Sequence, residues 1–513
     1  SGINPQSFSR ELTPETHFDT PEAVLSYSSN GYGGLSRQLH SFIREHIVRG
    51  VWKRRPRPVL LNSWEACYFK IDERKLLQLA KVGADVGIEL FVMDDGWFSG
   101  RNDDTSSLGD WEPDPKKLPG GIASLSKKLK ALGVDFGLWV EPEMISENSR
   151  LYQEHPDWAM MIPGHPHSEG RNQRLLDLSN PEVQQYVIDS MTKVFSSGDI
   201  RYVKWDMNRN FSDIYSPYLP AAKQGETAHR YVLGLYHIMD ELTTRFPEIL
   251  FEGCSSGGNR FDLGILSYFP QIWASDNTDA LCRTGIQNSY SYGYPLSVFT
   301  AHVSSCPNHQ TLRITPLETR FQVASFGVLG YECNLKDLSG SDLNAIREQI
   351  ALYKKWRDVF QFGSFYRGAE NEASDSETLS WTCVSPDGRR AVGLFFRRLT
   401  TPNQSHDWYR PVGLLPDVKY HFYGRNIKYN LKDFGDLVNT VSPVHIKQGS
   451  ALQEILSRFV NMDGEKEELT AYGDTLMRAG IALKPAFAGT GYNSDTRLFP
   501  DFSSRIYFME AAE

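Results

Sequence analysis

The run Ile200-Arg201-Tyr202-Val203-Lys204-Trp205-Asp206 starts as a strand and ends in an ammonium, the largest aromatic ring and a carboxylate. Charge at a buried strand end is costly to desolvate, so such an end makes sense where it opens into a site. The pattern recurs along the chain. Asn62, Ser63 and Trp64 follow PVLL; Asp94, Asp95, Gly96 and Trp97 follow IELFVM. Trp139, Glu141 and Glu143 stand at the end of VDFGLWVEPE, Lys204, Asp206 and Asn208 after RYV, Glu252 and Cys254 at the end of EILFEG, and Trp273, Asp276 and Asp279 in QIWASDNTD. Like charges repel, so carboxylates recurring at the same end of successive strands call for a functional cause. Two carboxylates, a cation and aromatic walls suit glycoside hydrolysis. One carboxylate attacks the anomeric carbon, and the other protonates the leaving oxygen and then activates water. Asp206 is the candidate nucleophile, because Lys204 favours its ionised form. The partner comes from a strand two further round the wall, as Asp276 or Asp279.

These ends must be brought together by a frame, and the chain is patterned for one. From about residue 57, apolar runs alternate with helical stripes. PVLLNSW, IELFVMDDGW, VDFGLWVEPE, IRYVKWD, EILFEG, QIWASD and YPLSVFTAH are strand candidates. Between them, Leu76, Leu77, Ala80 and Ala84, then Ile122, Leu125, Leu129 and Leu132, recur at helical spacing. Asn180 and Pro181 predict an N-cap and first turn for the stripe Val183, Val187, Met191 and Val194. Val232, Leu235, Met239, Leu242 and Phe246 mark another helix. Doubly buried strands alternating with helices mean a parallel sheet, and about eight units predict a closed (β/α)8 TIM barrel, an α/β fold, over residues 51–364. In such a barrel the active site lies at the C-terminal strand ends, where these residues fall. Residues 1–50 are expected to be a lead-in segment containing a helix within 33–50. Short β-rich runs around Pro386-Asp387-Gly388 predict a C-terminal antiparallel β-sandwich over 365–513.

Composition narrows the chemistry. A net charge of −9 argues against a nucleic-acid partner. No apolar run reaches membrane-spanning length, so no membrane is expected. The six cysteines are widely spaced and contain no CxxC pair, which fits reduced thiols and a cytoplasmic setting. A metal-dependent barrel hydrolase would carry His-x-His after its first strand. LNSW stands there instead, and His302 and His309 are isolated, so no metal is expected. Neither GGIAS nor CSSGGNRFD fits a dinucleotide or phosphate loop, and no cofactor is expected.

FVMDDGWF, LWVEPEM, RNQRLLDLSNP, YVKWDMNR, SSGGNRFD, WASDNTD and HVSSCPNHQT, in this order, resemble the retaining α-galactosidases of glycoside hydrolase family 36 over most of residues 33–365. AGIALKPAFAGTGYNSDTRLF resembles the C-terminal domain of bacterial members. The resemblance implies Asp206 as nucleophile and Asp276 as acid/base. It implies that Asp94 and Asp95 hold the sugar's 4- and 6-hydroxyls, that Trp64 and Trp139 wall the pocket, and that Lys204 contacts hydroxyls near the nucleophile. Arg171 would reach the site, Cys254 and Gly257 would border the sugar's 2-position, and Trp273 precedes the acid/base; Asn208 joins the binding set. Family members usually carry a large β-sandwich before the barrel, so that domain is expected to be missing from this chain or present as a separate one, and homo-oligomers are expected. The usual form of the 2-position loop is CSGGGGRFD. Here Ser256 and Asn259 replace two glycines, which favours plain α-galactosides over α-N-acetylgalactosaminides or α-galactosaminides while leaving the direction of Ser256 to be determined.

Overall fold

The computed structural model describes residues 2–369, 377–401, 406–457, 459–487 and 495–512. Eight parallel strands close into a barrel: β1 (Leu60–Asn62), β2 (Leu90–Met93), β3 (Asp135–Val140), β4 (Ile200–Trp205), β5 (Leu250–Gly253), β6 (Gln271–Trp273), β7 (Phe299–Ser304) and β8 (Val328–Glu332). Neighbours in sequence are neighbours in the ring, and Leu60 closes it by pairing with both Leu90 and Gly330. This is the TIM barrel the alternation predicts.

Alternation of side chains along each strand builds the site. Leu60, Leu90, Val92, Tyr202 and Leu250 pack together as one buried cluster. Two residues further along the same strands stand Asn62, Asp94, Lys204 and Glu252. The register sets Trp139 beside Lys204 and Lys204 beside Glu252. An apolar plug thus turns into a polar layer within one pleat. Gly137 has a specific part in the plug, since a Cβ there would lie 2.7 Å from Cδ1 of Tyr202.

The α-helices of eight or more residues among the described residues are α1 (Gly31–Phe42), α2 (Glu73–Val86), α3 (Gly121–Ala131), α4 (Pro181–Phe195), α5 (Thr227–Arg245), α6 (Ala280–Tyr290), α7 (Leu317–Ala324) and α8 (Gly340–Phe362). The start of α4 follows its sequence signal: Pro181 is in the first turn and the Asn180 side chain accepts from the Glu182 amide at 2.9 Å. Loss of such a cap costs about 1 kcal/mol. Two helical stripes shift in detail. In α2 the buried face is Leu76, Leu79, Ala80, Gly83 and Val86, and in α5 Tyr231 and Ile238 are buried while Val232 is 40% exposed.

The sequence candidates do not include the eighth strand. Residues 317–333 are almost continuously buried, and only Ser325, Phe326 and Gly327 separate α7 from β8. Periodicity cannot split a buried helix from a buried strand across so short a gap. Similarly, YPLSVFTAH begins as a 3-10 turn at Leu296–Val298, and β7 starts only at Phe299.

All barrel strands belong to one compact unit, Ser1–Thr278, Tyr292–Ser305 and Gly327–Leu338. The described residues before α1 form no helix or strand, but the rings of Phe8 and Phe18 meet each other and His229 on α5. The second unit comprises Asp279–Ser291, Cys306–Phe326 and Ser339–Glu513. It contains a six-stranded antiparallel sheet: β9 (Ser364–Arg367), β10 (Thr378–Val384), β11 (Arg390–Arg397), β12 (Lys419–Gly424), β13 (Glu468–Tyr472) and β14 (Ser503–Ala511), ordered β9-β10-β11-β14-β12-β13. The Pro386-Asp387-Gly388 turn joins β10 to β11, with the Asp387 side chain accepting from the Arg389 amide and Gly388 at φ +71°. Phe395, Tyr409, Tyr420, Phe422, Tyr507 and Met509 form part of its core. Residues 488–494 of the run AGIALKPAFAGTGYNSDTRLF lie outside the described residues.

Candidate active site

Asp206 continues the inward line Tyr202, Lys204 past the end of β4. It is buried and surrounded by donors. Trp139 Nε1 donates to its Oδ2 at 3.1 Å, Asn208 Nδ2 to the same oxygen at 2.8 Å, and the Met207 amide to Oδ1 at 2.8 Å. The Cys254 thiol, on the inward line of β5, also hydrogen-bonds Asp206; burial first, and then Asp206, push that thiol well above its ordinary range. A thiol so held is not a nucleophile.

Lys204 Nζ lies 3.1 Å from Asp94 Oδ2, and Asn62 Nδ2 donates to the same oxygen at 2.7 Å. Burial works against the ammonium, but Asp94, with Glu332 and Asp206 nearby, outweighs it and holds Lys204 protonated, well above its ordinary value. Its neighbour Asp95 is engaged differently. Arg101, fully buried, grips both oxygens at 2.8 to 3.2 Å. Burial raises the Asp95 carboxyl and Arg101 pulls it back. The DD pair is therefore split: Asp94 works with the Lys204 cation, while Asp95 is clamped by a guanidinium.

Asp276 stands just beyond β6, two strands round from β4, and is exposed. Trp273 Nε1 donates to its Oδ1 at 2.7 Å. Partial enclosure raises its carboxyl above the usual range; Asp206 and Glu332 add to the rise, and Lys204 and the Trp273 donor oppose it. The Trp273 ring in turn lies against His302, centroids 4.4 Å apart, and His302 Nδ1 is 2.8 Å from Glu332 Oε2. Asp279 is engaged elsewhere. Its Oδ1 accepts from the amides of Leu281 and Cys282 at the start of α6, and its Oδ2 from Thr311 and Arg313.

The loop after β5 settles the direction of Ser256. Its Oγ donates to Asn208 Oδ1 at 3.1 Å, and Asn208 donates to Asp206, so Ser256 is turned toward the candidate nucleophile's support. Asn259 braces the loop by donating to the Ser255 carbonyl at 2.8 Å. Gly257 has φ +86°, and a Cβ there would lie 3.0 Å from Ser275 Cα and 3.2 Å from the Asp276 nitrogen. Glycine is what lets this loop press on the segment that carries Asp276.

Beneath these groups lie Glu141 and Glu143, both completely buried. Glu143 accepts from Trp205 Nε1 at 2.8 Å, from Tyr231 at 2.7 Å and from Arg260 at 2.9 Å. Glu141 accepts from the Asn208 amide at 2.5 Å and from Gln173 Nε2 at 3.1 Å.

Hydrogen bonds thus join Asp206 with Asn208, Trp139 and Cys254, and separately Lys204 with Asp94, with Trp273 and Asp276 as a further pair. Trp64 is half-buried just after β1, its amide donating to Asn62 Oδ1. Arg171 is in an exposed loop at φ +54°, and its ion pair, at 4.0 Å, is with Asp104 and not with the cluster. From the same RNQ segment it is Gln173, fully buried, that reaches inward. Sequence reasoning missed Gln173, Arg101, Arg260 and the His302–Glu332 pair. Arg260 could have been found as the one cation in a loop already singled out; Arg101 and Gln173 sit in irregular segments with no periodicity to place them. Among the described residues, no group of three or more His, Cys, Asp or Glu is disposed to hold a metal ion, and no helix is long and apolar enough to cross a membrane.

Comparison with known proteins adds an independent line. The melibiase family model matches residues 17–363, and the model of the glycosyl hydrolase family 36 C-terminal domain matches residues 378–509. The chain is 47% identical over 426 residues to alpha-galactosidase AgaA of Geobacillus stearothermophilus, covering 83% of this chain and 58% of that protein. It is 46% identical over 419 residues to alpha-galactosidase 1 of Pediococcus pentosaceus, covering 82% and 57%. The crystal structure of AgaA superposes with a TM-score of 0.85 at 42% identity, covering 100% of this chain and 63% of that one. The alpha-galactosidase of Lactobacillus brevis superposes with a TM-score of 0.87 at 40% identity, covering 100% and 62%. The chain therefore spans less than two thirds of the length of these relatives.

Proposed function

This chain belongs to glycoside hydrolase family 36, the melibiases, and on that premise we propose that it removes terminal α-linked galactose from oligosaccharides or glycoconjugates by double displacement. Asp206 attacks the anomeric carbon and forms a glycosyl ester. Asp276 gives its proton to the departing oxygen, then takes one from the water that cleaves the ester, so the configuration is retained. Lys204 and Asp94 bind sugar hydroxyls beside the nucleophile, Trp139 and Trp64 wall the pocket, and Trp273 orients the acid/base.

The observation that carries this reading is the contrast between two carboxylates on one rim. Asp206 is buried and its two oxygens accept from three donors. Asp276 is open to solvent with its proton held more tightly than usual. A nucleophile and a proton donor need these opposite environments. Named relatives are α-galactosidases, and a variant of AgaA has been solved with raffinose, so raffinose-type α-galactosides are the proposed substrates. Ser256 supports a galactose 2-hydroxyl over an acetamido group, because its side chain is turned toward Asn208 and the site.

Nitrophenol release from p-nitrophenyl α-galactoside tests the activity, and NMR of the first-formed sugar tests the stereochemistry. α-Galactose is expected first. A first-formed β-anomer, or no release by the folded protein, would refute the proposal.

A further inference from the structure

Glu141 and Glu143 are two residues apart, equally inaccessible to solvent, and differently partnered. Glu143 has a guanidinium, Arg260, 2.8 Å from its Oε1. Glu141 forms no ion pair among the described residues, and its hydrogen bonds come from uncharged groups, the Asn208 amide and Gln173 Nε2. The charged groups that act on it are the Asp206 carboxylate, Asp95 and the Arg101 that Asp95 already engages. A buried carboxylate next to another carboxylate, with no cation of its own, is disfavoured twice over, by desolvation and by like charge. Burial first, and then Asp206, push the Glu141 carboxyl up to about 8. Gln173 supplies a further sign. Its Oε1 is buried with no hydrogen-bond partner, so a proton on Glu141 Oε2 has an acceptor once that amide turns over.

We propose that Glu141 is an uncharged positioning residue. As the carboxylic acid it holds the Asn208 backbone, and through the Asn208 side chain the Asp206 carboxylate, without placing a second negative charge beside it. The chain of contacts is continuous: Glu141 Oε1 to the Asn208 amide at 2.5 Å, and Asn208 Nδ2 to Asp206 Oδ2 at 2.8 Å. The kinetic side of this inference rests on the galactosidase reading; the protonation state does not.

Both are tested with Glu141→Gln and Glu141→Ala. In the infrared difference spectrum at pH 6, wild type minus Glu141→Gln, a protonated-carboxyl band is expected. Glu141→Ala supplies the same subtraction should the Gln variant fold poorly. On a nitrophenyl α-galactoside, whose leaving group needs little help from Asp276, Glu141→Gln should keep kcat/KM within about threefold of wild type at pH 6, because the amide also accepts from Asn208. Glu141→Ala should lose about thirtyfold or more in kcat. Wild type should lose activity as Glu141 ionises near pH 8, and Glu141→Gln, which cannot ionise, should lack that limb. A carboxylate band alone at pH 6, or a hundredfold loss in folded Glu141→Gln, would overturn the proposal. Inactive wild type with the protonated band present would refute the galactosidase reading and leave the uncharged Glu141 standing.

Discussion

Asp206 and Asp276 sit on the same rim with different surroundings. Asp206 ends a long inward line from the barrel core, and three donors and a thiol converge on it. Asp276 follows a three-residue strand, faces solvent and is held by the Trp273 indole. The side of the barrel formed by β3, β4 and β5 thus works as a rigid cradle, with Glu141, Glu143, Arg260 and Gln173 beneath it. The β6 side is thinner, and the Asp276 carboxyl there is exposed and held by one indole donor. Rigidity belongs where a bond to carbon must form at a set angle, and openness where a proton must be exchanged with changing partners.

The sharpest way to break this comparison is to exchange the amide for the acid on the rigid side. Asp206→Asn should fold as wild type, since the isosteric amide oxygen, placed where Oδ2 stands, can still accept from Trp139 and Asn208, and only the Met207 amide loses its acceptor. It should lose at least about a thousandfold in kcat, because no glycosyl ester can form. Near wild-type melting with more than about a tenth of the activity would remove Asp206 as nucleophile and the contrast with it.

On the open side the expected loss is smaller and depends on the substrate. Asp276→Ala should cost about a hundredfold or more on raffinose, whose leaving sugar needs a proton, and far less in the first step with a nitrophenyl leaving group. Added azide should speed the activated substrate by replacing base-activated water. The pH profile carries a sign. Asp276 must be protonated for the first step, and its raised proton affinity moves the alkaline limb for poor leaving groups upward. Since Asp206 contributes to that rise, anything that neutralises Asp206 should draw the limb back down. Should Asp276→Ala treat both substrates alike, the acid/base role fails.

Much of this asymmetry is legible in the sequence. KWD and DDGW mark strand ends because an apolar run gains nothing by stopping at a buried charge unless that charge is used. The two-residue period then orders Tyr202, Lys204 and Asp206 on one inward line. The capping of α4 by Asn180 is legible for the same local reason. What is not legible depends on contacts distant in sequence. Nothing in the spacing of Asp95 and Arg101 shows a clamp, since Arg101 lies in an irregular loop. The choice between Asp276 and Asp279 is decided by what Thr311 and Arg313 do to Asp279, some thirty positions on. The strand β8 is hidden by burial on all sides, and with it Glu332, which acts on both Lys204 and Asp276.

The smallest expected effect lies where the two sides meet, in the loop after β5. Ser256 has φ +46°, a backbone conformation that favours glycine, and the residue is nevertheless not glycine. Its hydrogen bond to Asn208 Oδ1 ties the loop that presses on the Asp276 segment to the residue that supports Asp206. Replacing it by glycine relieves the backbone and removes the hydroxyl, so stability should change little. Activity on p-nitrophenyl α-galactoside should fall about two- to fivefold, the size of one modest uncharged hydrogen bond. The same change frees space next to the site, so the 2-acetamido analogue should improve relative to the galactoside. Paired kcat/KM values for wild type and Ser256→Gly measure both. A wild-type preference of about tenfold or more for the acetamido compound, about 1.4 kcal/mol, would show that Ser256 bounds a pocket made for the larger group. Unchanged ratios in Ser256→Gly would show that the two sides of the rim act without this link.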